Sequence, residues 1–242
     1  MEDRLRAIGP GKQAPVRRRD RAAYMALFIL LALIAAQCVR MGMADLLVQT
    51  GQFEVDRQTS ASAKPGMAQV SGTLRFFTES LEYIPDNPWA LEGAGAMDLA
   101  KMRASRIPRE ARAAARDARA RFRLALVQRP TSPFLWANLA LSKLYLDEID
   151  NELFSALRHA DELGPWEPSV QQTILFVGLA VWRDLDPGLR QTLQQTIRRG
   201  AARNSGKMFE IVKSYARFDL VCAIDKYKVI AGPDCRKAEN PE

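Results

Sequence analysis

An all-α chain, with one N-terminal transmembrane helix followed by a degenerate array of helical hairpins, is predicted by three observations. Residues Ala22 to Val39 run for 18 positions without a charge, about the lower limit for crossing a bilayer as a helix. Beyond Gln69 the apolar positions follow a helical period and nothing reads as a strand. A proline and tryptophan landmark recurs as Pro85-Asp-Asn-Pro-Trp89, Pro130-Thr-Ser-Pro-Phe-Leu-Trp136 and Gly164-Pro165-Trp166-Glu-Pro168. Proline ends one helix, and Asn, Ser or a second proline opens the next.

Residues 1–21 form a basic start with seven basic and three acidic side chains. The transmembrane helix and its juxtamembrane extension occupy 22–51, because Arg40 can snorkel to the headgroups while Met41, Met43, Leu46, Leu47 and Val48 keep the helix largely apolar. Only Arg40 and Arg57 follow the span closely, so the positive-inside rule places the N-terminus in the cytoplasm and the bulk of the chain outside. A cleaved signal peptide is the competing reading, but Ile34 and Ala36 make a mediocre cleavage site. Gln37 ahead of Cys38 does not suit a lipoprotein.

Residues 52–68, rich in Ser, Thr, Ala, Gln and Gly with Pro65, read as a linker. The helical domain is expected over 69–220. Leu74, Phe77, Leu81 and Ile84 precede Pro85; Ala115, Ala118, Phe122, Ala125 and Leu126 precede Pro130; Leu139, Leu141, Leu144 and Leu146 follow Trp136. Further helices are expected over Ser169–Trp182, Pro187–Ala202 and Ser205–Leu220. Trp89 and Trp136, just inside helix starts, are expected in the core.

The stretch Ala118 to Pro165 resembles the tetratricopeptide repeat, a helical hairpin of about 34 residues with small and aromatic residues at fixed places. Ala118, Phe122, Ala125 and Pro130 match the second helix of one repeat; Trp136, Leu139 and Ala140 match the first helix of the next, closed by Ala160 and Pro165. Lys143 stands where tyrosine is usual, and Pro85 to Pro130 spans 45 residues, so the array is degenerate. Such arrays bury their cores between units and leave grooves for partners.

The net charge of +7 is local: residues 1–21 contribute +4 and Lys101–Arg123 contribute +7, so the remainder carries −4. Arg109, Arg112, Arg116, Arg119 and Arg123 alternate by three and four positions, a basic stripe about 21 Å long on a helix. It reads either as a solvated face with partial pairing from Glu110 and Asp117, or as a docking surface for an acidic polysaccharide, lipid phosphates or an acidic protein. The compartment disfavours nucleic acid. His159 stands alone, next to Asp161 and Glu162 that point elsewhere on the helix, and no metal, nucleophile or phosphate motif accompanies it. Asp147, Glu148, Asp150 and Glu152 crowd one turn and read as solvated. The sequence thus assigns no catalytic residue, metal site or cofactor. Cys222 and Cys235, in the tail 221–242, flank Gly232-Pro233-Asp234 and would close a disulfide loop in an oxidising compartment.

The segment Arg129-Pro-Thr-Ser-Pro-Phe-Leu-Trp-Ala-Asn-Leu-Ala140, with Leu163-Gly-Pro-Trp-Glu-Pro168 and Gly178-Leu-Ala-Val-Trp182, resembles the VpsP family of bacterial polysaccharide-biosynthesis proteins. The resemblance runs from about Leu81 to Cys222. It implies a Gram-negative inner-membrane anchor, a periplasmic helical domain, and a non-catalytic scaffold role among proteins of a polysaccharide synthesis and export complex. Short anchored proteins of methanol-oxidation loci share the punctuation and would make the chain an assembly factor for a periplasmic enzyme. A glycan-handling enzyme is a third expectation, from a different class.

Overall fold

The computed structural model describes residues 18–60, 65–220 and 222 of the 242-residue chain. Among these the chain is all-helical: α1 (Arg18–Ser60), α2 (Met67–Tyr83), α3 (Pro88–Ala104), α4 (Pro108–Gln128), α5 (Pro133–Tyr145), α6 (Asn151–Leu163), α7 (Pro168–Ala180) and α8 (Pro187–Ser214), then a 3-10 turn at Phe218–Leu220. The chain divides into two compact units at Met43/Ala44.

In the first unit, α1 is long and apolar enough to cross a membrane, with a mean hydropathy of 2.3 over its best window. Tyr24, Phe28, Leu31, Leu33 and Val39 all lie open. Residues 1–17 of the basic start lie outside the described residues.

The second unit begins at Ala44, earlier than the expected boundary at Gln69. The expected linker is helical as far as Ser60. Ala44, Val48 and Gly51 are buried at spacings of four and three, and Val55 and Gln58 continue the same seam against α2. Polar groups fix the antiparallel register: Ser80 Oγ donates to the Ala44 carbonyl at 2.9 Å, and Gln58 Nε2 donates to Thr73 Oγ1 at 2.7 Å. The seam escapes a search for apolar periodicity because it uses small and hydrogen-bonding residues.

Phe77 of α2 locks this corner. Its ring is fully buried, and a Cβ built on Gly93 of α3 would fall 2.3 Å from it, one on Gly51 of α1 2.7 Å. Those glycines permit the approach of three helices around one ring.

Each landmark folds the same way. In Ile84–Asn87, Arg129–Ser132 and Gly164–Glu167 the fourth residue's N–H donates to the first residue's carbonyl at 3.1–3.2 Å, with Pro85, Pro130 and Pro165 second in the turn. Proline presets φ there. The fourth residue is the N-cap of α3, α5 or α7, and Pro88, Pro133 or Pro168 follows at the first helical position. Asn87 and Ser132 accept backbone N–H bonds from the helices they open, each such cap contributing about 1 kcal/mol.

The resulting helices pack as pairs α3/α4, α5/α6 and α7/α8, and the first helix of each pair touches the first helix of the next. One continuous core runs through them, from Leu91 and Phe122 through Leu139, Leu157 and Ile174 to Leu193 and Val212. α8 breaks at Asn204, whose φ of −140° and ψ of 40° separate two helical segments, matching the two helices expected there.

We expect Gly93→Ala to destabilise the domain by about 1–3 kcal/mol through overpacking against Phe77. Adding Phe77→Leu should recover part of that loss in a denaturant titration, because the smaller side chain leaves room for the new methyl.

Candidate functional site

The arginine stripe lies along α4, but three of its five members are committed inside the chain. Arg119 pairs with Glu148, and Arg123 meets Glu152 through Nε at 2.8 Å and Nη2 at 2.5 Å. Arg112 donates to the Leu146 carbonyl at 3.2 Å and lies 3.6 Å from Asp147. The partners come from the α5–α6 turn, not from Glu110 and Asp117 on the same helix. The basic stripe and the acidic turn, which read separately as solvated features, face each other. Arg109 and Arg116 remain exposed.

Lys143 stands at the centre with 1% of its side chain exposed. Its Nζ donates to Glu148 at 3.2 Å, Asp150 at 2.9 Å and Glu152 at 2.6 Å. Burial opposes its charge most strongly, but the three carboxylates outweigh burial and raise its pKa above the ordinary lysine value. For Glu148 and Asp150 desolvation is likewise the largest single influence and is outweighed by their cationic partners; both lie below the usual carboxylate range. Glu152 is lowered chiefly by its bond from Arg123. Groups driven away from neutrality in both directions are poor proton shuttles near pH 7; this seam is a clamp.

Backbone geometry delivers those acids. Glu148 N–H donates to the Lys143 carbonyl at 3.0 Å and Asp147 N–H to that of Leu144 at 3.1 Å, the paired bonds of a Schellman helix end. Asp147 takes the left-handed position with φ of 59°. Asp150 then caps α6, accepting from Leu153 N–H at 3.1 Å through one oxygen while the other holds Lys143.

A second charged pair went unrecognised in the sequence. Asp98 of α3 is buried against α4, 2.8 Å from Arg121. Burial pushes its pKa up to about 6, Arg121 pulls it back, and Asp117 adds to the rise. Nothing in the sequence distinguishes Asp98 from a surface acid, since its neighbours Met97 and Leu99 are both buried too.

Trp136 is half-buried and packs against the core, but Trp89 departs from the core position expected of it. Trp89 is 51% exposed and Trp166 is 54% exposed. Arg129 of the α4 cap lies 3.5 Å from the Trp89 ring centre and pairs with Glu92; Arg203 of α8 lies 5.5 Å from that of Trp166. Trp136 stacks on His159 of α6 at 4.5 Å and donates from Nε1 to the Pro130 carbonyl at 2.7 Å. In each pair, then, the landmark tryptophan packs against a basic side chain from the second helix or its cap, and cation–π attraction replaces burial for Trp89 and Trp166. His159 Nδ1–H donates to the Ser155 carbonyl at 2.8 Å, which orients the stacked ring. Cys222 is buried and disulfide-bonded, and Cys235 lies outside the described residues.

Comparison of the chain with protein-family models, curated proteins and solved structures returns no match.

Breaking the clamp has a defined signature. Lys143→Ala should cost about 2–3 kcal/mol, less than the loss of a fully buried partner because the acids are part-exposed. That deficit should shrink as pH falls below the usual carboxylate range, where protonation removes the same interaction from the parent protein. Asp98 has the opposite sign. Its folded pKa of about 6 exceeds the ordinary 3.8, so stability falls as pH rises between these values. Asp98→Asn should flatten that slope in melting curves recorded between pH 4 and pH 6.

Proposed function

We propose that the chain is an inner-membrane-anchored scaffold whose periplasmic helical domain, a degenerate tetratricopeptide-like array, assists exopolysaccharide synthesis or export without catalysis. The observation that carries the reading is the joining of one helix apolar enough to cross a membrane to a unit of stacked helix pairs. That is the layout of a tethered module that presents a surface to other proteins. The basic start followed by few cations supports an N-terminus in the cytoplasm. The proline and tryptophan segments that resemble the VpsP family supply the polysaccharide setting.

The clamp revises which surface a partner would use. With Arg112, Arg119 and Arg123 engaged internally, replacing Arg112, Arg116 and Arg119 together by Gln should loosen the α5–α6 turn as well as alter surface charge.

In-cell crosslinking of the full-length anchored protein, followed by mass spectrometry, tests the proposal. A polymerase, chain-length regulator or exporter attached to residues after Ala44, with reduced polymer output in a deletion strain, is the expected result. Attachment to a periplasmic dehydrogenase instead, with polymer output unchanged, would replace it by the enzyme-assembly reading.

A further inference from the structure

Eight of the nine cations of Lys101–Arg123 fall into two sets; the ninth, Arg116, is exposed and donates from Nε to the Arg112 carbonyl at 3.4 Å. Arg112, Arg119, Arg121 and Arg123 each sit near a carboxylate of this chain. Lys101, Arg103, Arg106 and Arg109 are in no salt bridge among the described residues, and they gather around the turn joining α3 to α4. Arg103, Arg106 and Arg109 are exposed. The acid at this turn, Glu110, accepts from Ser105 Oγ at 3.3 Å. Arg103 donates from Nε to the Leu99 carbonyl at 3.2 Å, and its two terminal nitrogens have no hydrogen-bond partner among the described residues.

Arg103 also lines a cavity of about 660 Å³ between the last turns of α1 and α3, walled by Val55, Ala96, Met97, Ala100 and Ala104. Its amide and hydroxyl groups are already engaged: Gln58 donates to Thr73, and Thr59 donates to the Val55 carbonyl. The cavity therefore offers aliphatic contact with one guanidinium, that of Arg103, in its wall, and exposed Arg106 follows on the adjoining turn. No aromatic ring lines it on which a sugar could stack.

We propose that this cavity is the docking site for an acidic segment of a partner protein, which seats aliphatic side chains against Ala96 and Ala100, sets a carboxylate on Arg103 in the wall, and reaches Arg106 on the adjoining turn with a second. Bidentate arginine contacts fix the position of the acids, and the small wall residues leave room for the anchors. The inference names the partner chemistry of the scaffold reading and rests on it for the occupant's being a protein.

The test uses the full-length chain in detergent micelles and fluorescence anisotropy with two labelled peptides sharing the same leucine anchors, one flanked by glutamates and one by lysines. The glutamate peptide should bind about tenfold more tightly at low salt. Arg103→Glu with Arg106→Glu should reverse that preference while leaving the melting transition in place, and Ala100→Phe should abolish binding by filling the cavity. Absence of a preference for the glutamate peptide, including failure of both to bind, overturns the proposal. So does binding of sodium polygalacturonate that needs the same arginines and is indifferent to Ala100→Phe, which would make the patch a glycan site. Because these readouts are made on the isolated protein, an unchanged polymer output in the deletion strain would count against the exopolysaccharide role alone.

Discussion

An ammonium group taken out of water costs several kcal/mol unless carboxylates meet it, and Lys143 is met by three. Much else in the domain follows from that requirement. The carboxylates must come from a chain that has just left the same helix, so α5 ends in a tight left-handed turn that swings Glu148 back over its own last residues. Lys143 alone cannot balance four acids in so short a turn. Arg112, Arg119 and Arg123 of α4 make up the difference and fasten the α5–α6 hairpin to the preceding pair. The seam sets the register between two helix pairs whose apolar faces, rich in alanine and leucine, would tolerate sliding.

Punctuation and clamp act at different places. The three proline turns fix where α3, α5 and α7 begin, and the stacked tryptophan and basic side chains tie each of these starts to the second helix of its own pair or to that helix's cap. The α5–α6 turn carries the charge seam. At the α3–α4 turn Arg103, Arg106 and Arg109 are in no salt bridge among the described residues. That asymmetry directs attention to the α3–α4 end as the surface left for a partner.

Helices were legible in the sequence wherever their apolar residues repeat at helical spacing, as in Ala115, Ala118, Phe122, Ala125 and Leu126, all of which are buried. The proline and N-cap signals located α3, α5 and α7 because they act through the backbone alone. The end of α1 was illegible because its seam runs through Ala44, Gly51 and Gln58, residues that carry little hydrophobic signal and depend on Ser80 and Thr73 of another helix. Trp89 misled for a related reason. An aromatic ring at a helix start suits a core, and only the position of Arg129 shows that an exposed Trp89 is satisfied by a cation. The clamp was present in the sequence as two halves 29 residues apart, Arg119 with Glu148 and Arg123 with Glu152. A stripe of five cations and a turn of four acids, one hairpin apart, is the signal that joins them.

The measurement that bears most directly on this account is a double-mutant cycle on Arg119 and Glu148, with unfolding free energies of the parent, Arg119→Gln, Glu148→Gln and the double variant. A clamp that spans α4 and the α5–α6 turn predicts a coupling energy of about 1 kcal/mol or more, shrinking as the carboxylates are protonated. Additive losses, with a coupling indistinguishable from zero at neutral pH, would show that the charges are ordinary surface pairs and that apolar packing alone holds the two helix pairs in register.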